Sequence, residues 1–140
     1  MKISRALLAA IHRHLEQGYP NEACGVLLGR GDTVTEIVPA DNTRTDSAHN
    51  RYLIDPREYL RIERDADRRG LQLLGIYHSH PDCAPRPSQY DLDHAWPNLT
   101  YLIVSVIEGK ASENLSWRLR DDRSQFDPDP LELTDTESRS

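Results

Sequence analysis

The stretch GIYHSHPDCAPRPSQYD, residues 75–91, joins a predicted strand to a predicted helix through a proline-rich loop. The apolar content of residues 71–78 predicts a buried strand, and prolines at positions 81, 85 and 87 restrict the loop backbone. Ser88, followed three residues later by Asp91, has the pattern of a helix N-terminal capping box. The segment therefore predicts a strand, a stiff loop and a helix start in direct succession.

Two histidines and one aspartate in this segment suggest a metal site. His78 and His80 are two residues apart at the end of the predicted strand, and side chains at that spacing point to the same face of a sheet. Asp91 would add a carboxylate ligand and leave a fourth tetrahedral position to water, as in catalytic zinc sites. A His-x-His pair alone is a weak signal, and Ser88 with Asp91 is also an ordinary cap. The two interpretations are compatible, because a capped helix start would hold Asp91 in a fixed place.

On both sides of this segment, helical and strand patterns alternate. Ser4 can cap a helix with apolar residues at helical spacing, and Gly18 would end it. A second helix is predicted from Asp55-Pro56 to a stop at Gly70. Strands are expected at 23–29, 33–39, 52–54, 71–78, 98–107, 115–120 and 130–134, with a polar loop at 41–50. This order predicts a single-domain α/β sandwich with a mixed, mostly antiparallel sheet flanked by helices.

The length of the chain fits one domain. It has 140 residues and a formal net charge of -6, and single domains usually contain about 100–200 residues. We expect the domain to span residues 1–134. Residues 135–140 carry no apolar anchor and are predicted to form a disordered tail.

Composition argues against two classes of partner. No apolar run approaches the roughly 20 residues that a membrane-spanning helix needs, and the N-terminus lacks a signal-peptide pattern. The pI of about 5.4 argues against nucleic acid, and the acids interleaved with arginines in residues 57–69 favour a solvated helix face. Cys24 and Cys83 do not make a disulfide scaffold, so we expect a reduced, cytoplasmic location.

The joint pattern resembles the signature of the JAMM/MPN family of zinc metalloproteases. It consists of HSHP at 78–81 and SQYD at 88–91, with seven residues between His80 and Ser88. The family also has a glutamate at the start of the strand after the first helix, and EACGVLLG at 22–29 matches its E-x-x-G-x-L-x-G pattern. The resemblance covers most of the chain and weakens from Arg120 onward. It implies the α-β sandwich of the JAMM/MPN, cytidine-deaminase-like type.

The resemblance also implies a role for each site residue. His78, His80 and Asp91 would bind one zinc ion, which lowers the pKa of its bound water. Glu22 would act as general base on that water and then as general acid on the leaving amine. Ser88 would donate a hydrogen bond to the developing oxyanion. Four other carboxylates are weaker alternatives because they lack the family spacing or a route to the site: Glu16 and Glu36 as the base, Asp82 and Asp93 as the ligand.

The remaining histidines and cysteines have mainly structural interpretations. His12 and His14 are expected on the surface of the first helix, and His49 in a loop. His94 is a lesser candidate for a residue that supports the ligands. Cys83 lies close to the ligands in sequence, which raises the hypothesis of a redox-active or additional ligating thiol, whereas Cys24 is expected in the core.

By resemblance, the substrate is a peptide or isopeptide bond after the C-terminal Gly-Gly of a ubiquitin-like or sulfur-carrier protein. The chain has no obvious inserted segments like those of eukaryotic deubiquitinating members, and it is more similar to compact prokaryotic members, including a type that releases cysteine from its carrier. Two alternatives stay open: a non-catalytic MPN-type scaffold and a metal-binding protein without turnover. A zinc-dependent deaminase is disfavoured, because no P-C-x-x-C follows the histidines. The carrier and the oligomeric state are not predicted.

Overall fold

The computed structural model describes residues 1–43 and 51–134, and within them it contains one mixed sheet of eight strands and three helices. In chain order the elements are β1 (Lys2–Ser4), α1 (Arg5–Gly18), β2 (Cys24–Arg30), β3 (Thr33–Ala40), α2 (Pro56–Arg68), β4 (Gln72–Pro81), α3 (Gln89–His94), β5 (Thr100–Ile107), β6 (Lys110–Leu119), β7 (Phe126–Pro128) and β8 (Glu132–Thr134).

The strand that carries the two candidate histidine ligands lies near the centre of the sheet. The strand order is β7-β6-β5-β4-β2-β3-β1-β8. β4 pairs antiparallel with β2 and parallel with β5. A parallel pair requires a crossover connection, and here that connection contains α3. The topology therefore brings α3 back to the end of β4.

Helices cover both faces of the sheet, which gives the sandwich. On one face, α1 buries three residues against the sheet: Leu8, Ile11 and Leu15. On the other face, α2 buries Ile62 and Ala66 against β2. Neighbouring residues of β4 face opposite sides, as strand geometry requires: Tyr77 joins the α1 core and Ile76 the opposite one. The predicted mixed, mostly antiparallel α/β sandwich is confirmed.

Most predicted elements are found, with three kinds of difference. β4 and β6 are longer than predicted, and β1 and β7 were not predicted. The prediction of a strand at 52–54 is wrong. The backbone N–H of Thr43 donates a hydrogen bond to the carbonyl of Leu53, but these residues form no regular strand ladder. Residues 44–50 of the polar loop, with His49, and the predicted tail at 135–140 lie outside the described residues.

Across residues 1–43 and 51–134, no helix has both the length and the apolar character needed to cross a membrane.

Candidate metal centre

His78 and His80 lie near the C-terminal end of β4, and both are buried. Alternation along the strand places them on the same face as Ile76. β2 and β5 cover the edges of β4, with His78 opposite Cys24 on one side and Ile103 on the other. The two imidazoles are therefore held by a central strand that is hydrogen-bonded on both sides.

Asp91 reaches the same place from the first turn of α3. Ser88 caps this helix: its Oγ accepts a hydrogen bond from the backbone N–H of Asp91 at 3.1 Å. In return, Oδ2 of Asp91 accepts one from the backbone N–H of Ser88 at 2.9 Å. This reciprocal capping box fixes the aspartate rotamer, so the helix cap and the candidate ligand are the same structural feature.

The three side chains converge on one point. The Nε2 atoms of His78 and His80 are 3.3 Å apart. Nε2 of His80 lies 3.1 Å from Oδ2 of Asp91, and Nε2 of His78 lies 3.6 Å from Oδ1. All three donor atoms lie within 4.8 Å of one another. Two imidazoles and a carboxylate suit zinc, and three protein ligands leave a position for a reactant.

The two rings are oriented differently. Nδ1 of His80 lies 2.9 Å from the carbonyl oxygen of Ala84. A carbonyl only accepts, so Nδ1 carries the hydrogen and Nε2 keeps its lone pair for a metal. The ring of His78 is instead stacked on that of Tyr52, with centroids 4.5 Å apart. Its Nδ1 is buried and has no hydrogen-bond partner among the described residues.

Glu22 lies beside the ligands, just before β2. Two hydrogen bonds tie this segment to β4: the N–H of Ala23 donates to Oγ of Ser79, and the N–H of Ser79 donates to the carbonyl of Ala23. Glu22 is only 5% exposed, and its Oε1 has no partner in the described chain. Burial raises the pKa of Glu22 to about 7, against the opposing effect of the two histidines. The carboxyl is therefore suited to accept and release a proton near neutral pH.

The electrostatics of the ligand cluster favour an ionised aspartate. Burial alone would raise the pKa of Asp91, but the neighbouring His78, the contact with His80 and the hydrogen bond from the Ser88 N–H together hold that pKa well below its usual range. Burial lowers the pKa of His80, and its bonds to Asp91 and Ala84 outweigh this and raise it. A charged carboxylate at this position favours binding of a cation.

An aromatic cavity of about 120 Å³ opens next to Asp91. The segment before α2, the first turn of that helix, α3 and the residues after α3 surround it. Most of its wall is apolar, and it includes five aromatic residues and a histidine: Tyr52, Tyr59, Tyr90, Trp96, Tyr101 and His94. We call this space the aromatic cavity. Of the three candidate ligands, Asp91 lines it.

The alternative carboxylates are engaged elsewhere. Oε2 of Glu16 accepts a hydrogen bond from the N–H of Ala111, and Glu36 forms an ion pair with Arg69 at 2.8 Å. The two aspartates considered as ligands also have other partners and lie outside the cluster, Asp82 with Tyr19 and Glu108, and Asp93 with Gln89.

The structure changes the interpretation of some other residues. His14 is not a plain surface position, because it is half-buried with Nδ1 2.8 Å from the hydroxyl of Tyr77. His12 contacts Asn114. His94 stacks on Tyr90 in the wall of the aromatic cavity.

The two cysteines differ in environment. Cys83 is exposed as a residue, and the partial burial of its thiol is the leading cause of a raised pKa. An activated thiolate would have a lowered pKa instead. Cys24 is fully buried in β2, where the sequence predicts a core residue.

Sequence reasoning missed three residues that shape the site. Tyr52 packs on His78, Ser79 ties β4 to the segment of Glu22, and the side chain of Asn42 donates to the carbonyl of Glu22. Ser79 could have been found from its position between the two histidines, because strand alternation turns its side chain toward the face opposite the imidazoles. Tyr52 and Asn42 follow no local pattern, and their roles depend on tertiary contacts.

Several named proteins are similar to this chain. A desampylase of Haloferax volcanii is 38% identical over 75% of this chain and 84% of its own length. A probable TtuB-protein conjugate cleaving protease of Thermus thermophilus is 36% identical over 74% of this chain and 69% of its own length. A CysO-cysteine peptidase of Mycobacterium bovis is 30% identical over 82% of this chain and 80% of its own length.

Solved structures agree with this likeness. A protein from Desulfitobacterium hafniense superposes with a TM-score of 0.82 and 31% identity, over 96% of this chain and 92% of that chain. A structure described as a JAMM metalloprotease-like zinc site in the proteasome and signalosome superposes with a TM-score of 0.60 and 21% identity, over 96% of this chain and 98% of that chain. It shares the fold. Residues 4–120 match the family described as prokaryotic homologs of the JAB domain. This chain therefore belongs to the prokaryotic JAB family, a branch of the JAMM/MPN proteins that its two motifs resemble.

Proposed function

We propose that this protein is a zinc metallopeptidase that hydrolyses a peptide or isopeptide bond after the C-terminal Gly-Gly of a ubiquitin-like or sulfur-carrier protein. The observation that carries the proposal is the convergence of three buried ligand atoms beside a buried glutamate whose Oε1 has no partner within the described residues. The names of the relatives, which specify cleavage of TtuB conjugates and of CysO-cysteine, support the substrate class.

The proposed metal ligands are Nε2 of His78, Nε2 of His80 and a carboxylate oxygen of Asp91. A zinc ion held there supplies Lewis acidity and lowers the pKa of a coordinated water. One ion per chain fits the single cluster of this kind in the described part of the chain. The hydrogen bond from His80 to Ala84 keeps that ring in the ligating tautomer.

Glu22 is the proposed general base and acid. It removes a proton from the attacking water and delivers this proton to the amine that leaves when the C–N bond breaks. Burial keeps competing solvent away from the carboxyl, and the Ala23–Ser79 hydrogen bonds hold it beside the ligands. The same residue can therefore serve both halves of the reaction.

Ser88 is the proposed oxyanion donor. Its oxygen already accepts the helix-capping hydrogen bond from Asp91, which leaves the hydroxyl hydrogen to be donated. The hydrogen can then stabilise the negative charge that develops on the carbonyl oxygen of the scissile bond. Ser88 is exposed, so an incoming chain can reach it.

The decisive experiment measures zinc content and cleavage on the same preparations. The substrate is a ubiquitin-like domain ending in Gly-Gly and fused to a reporter. Wild type should carry about one zinc per chain and cut the fusion, and His78→Ala should lose both properties. Glu22→Gln should retain zinc and lose about 10²- to 10⁴-fold in rate, because an amide cannot accept the proton.

Two results would contradict this proposal. Equal zinc content in wild type and a His78→Ala/Asp91→Ala variant would remove the metal site. Zinc bound by a wild type that cuts no Gly-Gly fusion would favour a scaffold or a metal-binding protein. The cytoplasmic location remains a prediction from the cysteine content.

A further inference from the structure

Four arginines of α2 form a row along its solvent side. They follow one another at spacings of four, three and four residues, which places side chains on one helix face. The row spans about 16 Å, at about 1.5 Å of rise per residue. All four are exposed and border one shallow surface cavity together with the exposed Leu60. We call this row the arginine crest: Arg57, Arg61, Arg64 and Arg68.

The acidic residues of α2, which alternate with the arginines in sequence, lie beside the crest and not along it. At about 100° per residue, Glu58 and Asp65 lie on one flank of the crest, and Glu63 and Asp67 lie on the other. The crest is thus the most outward line of the helix, opposite the face that packs on the sheet. A partner that approaches α2 from solvent meets arginine first.

Ion pairs with neighbouring acids neutralise the crest only in part. Guanidinium nitrogens of Arg57, Arg61 and Arg68 lie 3.7 Å, 3.9 Å and 3.1 Å from Asp55, Glu58 and Asp65, in that order. All three arginine side chains remain more than 70% exposed, and such pairs are weak in water. Arg64 has no ion pair within residues 1–43 and 51–134. The crest therefore keeps the charge of Arg64 in excess of its paired acids, on a chain whose formal charge is -6.

The crest begins in the turn of α2 that lines the aromatic cavity. Pro56 and Tyr59, in the first turn of α2, line that cavity, which extends to Asp91. Trp96 packs edge-on against Tyr59 in the wall of the same cavity and is 47% exposed. An exposed apolar wall beside a row of arginines has the composition of a protein-binding surface.

We propose that the arginine crest docks an acidic face of the carrier protein's folded domain while the carrier's tail passes the aromatic cavity to the ligand cluster. This inference rests on the proposed function, because it assigns the folded part of that substrate a position. The charges favour an acidic partner: the rest of this chain repels acidic proteins, so a local positive row determines where and in which orientation such a protein binds. The acids beside the arginine crest disfavour binding of a nucleic acid, because its phosphate backbone is continuously negative.

The test compares three substrates with zinc-loaded protein. They are an acidic ubiquitin-like domain ending in Gly-Gly and fused to a reporter, the same fusion with its acidic surface neutralised, and the isolated tail peptide with that reporter. Arg64→Glu should lower kcat/KM for the acidic fusion relative to the tail peptide by about fivefold, mainly through KM. The triple variant Arg61→Glu/Arg64→Glu/Arg68→Glu should lower that ratio by at least about twentyfold.

The matched control is Arg13→Glu, an equal change of charge at an exposed position of α1 on the opposite side of the sheet. It should leave the ratio unchanged. Raising the salt concentration to about 0.5 M, where the Debye length is about 4 Å, should remove the advantage of the acidic fusion in wild type. Equal ratios for wild type, Arg64→Glu and the triple variant, or equal cleavage of acidic and neutralised fusions by wild type, would overturn the docking surface.

A binding measurement separates this inference from the proposed function. Wild type and Arg13→Glu should bind the free acidic domain several times more tightly than Arg64→Glu does. If that holds while wild type cuts no fusion, the docking surface stands and the peptidase assignment fails. If instead an RNA or DNA oligomer binds in an Arg64-dependent manner and the acidic domain does not, the partner is of another class and the inference is overturned.

Discussion

At the scale of single residues, Glu22 has a buried environment that changes its chemistry. Its carboxyl is buried, its pKa is raised to about 7, and no described group hydrogen-bonds to Oε1. An acid with a raised folded pKa binds a proton in the native state that the unfolded chain has already released. This residue therefore destabilises the metal-free fold as pH rises.

For the metal-free protein we predict a pH-dependent stability difference between wild type and Glu22→Gln. Between the ordinary pKa of 4.5 and about 7 the native state binds more protons, so the free energy of unfolding of wild type should fall relative to the variant by about 3 kcal/mol. Urea unfolding with a chelator at both ends of this range measures the difference. Glu36→Gln, at an exposed ion pair, is the control. Parallel stabilities of wild type and Glu22→Gln would contradict the prediction.

Ser88 caps α3 and is also the proposed oxyanion donor, and the effects of one substitution can distinguish these two roles. Ser88→Ala removes the cap of α3, which should cost about 1 kcal/mol of stability. If its hydroxyl also stabilises the oxyanion, kcat should fall by about 10²- to 10³-fold with zinc retained. Kinetics, zinc content and melting temperature are measured together. A variant with full activity and a lower melting temperature would reduce Ser88 to a helix cap.

The residues proposed for the site were found from sequence because they follow spacing rules. Alternation in a strand brings His78 and His80 to one face, and the capping pattern fixes Asp91. Tyr52 could not be predicted, because the sequence favours a strand at 52–54 and the contact of Tyr52 with His78 spans 26 positions without any periodic pattern. Local rules therefore find candidate ligands, whereas the contacts that orient them depend on the assembled fold.

At the scale of elements, the close packing of β2 on β4 explains why Gly25 follows Glu22 by three residues. A Cβ at Gly25 would lie 2.2 Å from Cζ of Tyr77. Tyr77 is fully buried, and its hydroxyl is hydrogen-bonded to His14, so the ring has little room to move. The absence of a side chain here lets the segment of Glu22 lie close to the strand that carries the ligands.

We therefore predict that Gly25→Ala destabilises the fold by about 1–3 kcal/mol, the usual cost of overpacking a core. The cost should fall in a Tyr77→Leu background, because a smaller side chain gives the new methyl group space. A double-mutant cycle of the free energy of unfolding measures this coupling. Additive effects of the two substitutions would show that the steric conflict is not the cause.

The elements that sequence patterns predicted are those that bury a regular face. α1 and α2 begin after their predicted caps at Ser4 and Asp55, and β5 is nearly continuous in apolar residues. β1 and β7 have only three residues each, too few to show a period, and they exist because other strands pair with them: the distant β8 with β1, and the preceding β6 with β7. Strands of that length are set by tertiary contacts.

At the scale of the whole molecule, the two ends of the described chain are joined. β1 pairs in parallel with β8, and the N-terminal amino group donates a hydrogen bond to the carbonyl of Pro130. Leu131 packs against the core beneath α1. The proposed domain boundary at Thr134 thus follows the last strand that the sheet uses.

Truncation tests this boundary. A chain that ends at Thr134 should unfold with the same free energy as the full chain, because every described contact is kept. A chain that ends at Asp129 loses β8 and the burial of Leu131, and we expect it to be less stable by about 2 kcal/mol. Urea unfolding of the three lengths provides the measurement. Equal stability of all three would place the boundary before β8.

The crossover between the parallel strands β4 and β5 has a consequence for the order of assembly. The contact between His80 and Asp91 closes a loop of 11 residues, whereas the contact between Ala23 and Ser79, which positions Glu22, closes one of 56. The shorter loop costs about 1.4 kcal/mol less in chain entropy. During folding, the residues proposed to bind the ion can therefore come together from one contiguous segment before Glu22, the proposed base, joins them. Zinc added at the start of refolding should then speed the formation of this segment, and an emerging chain could capture an ion before the proposed catalytic site is complete.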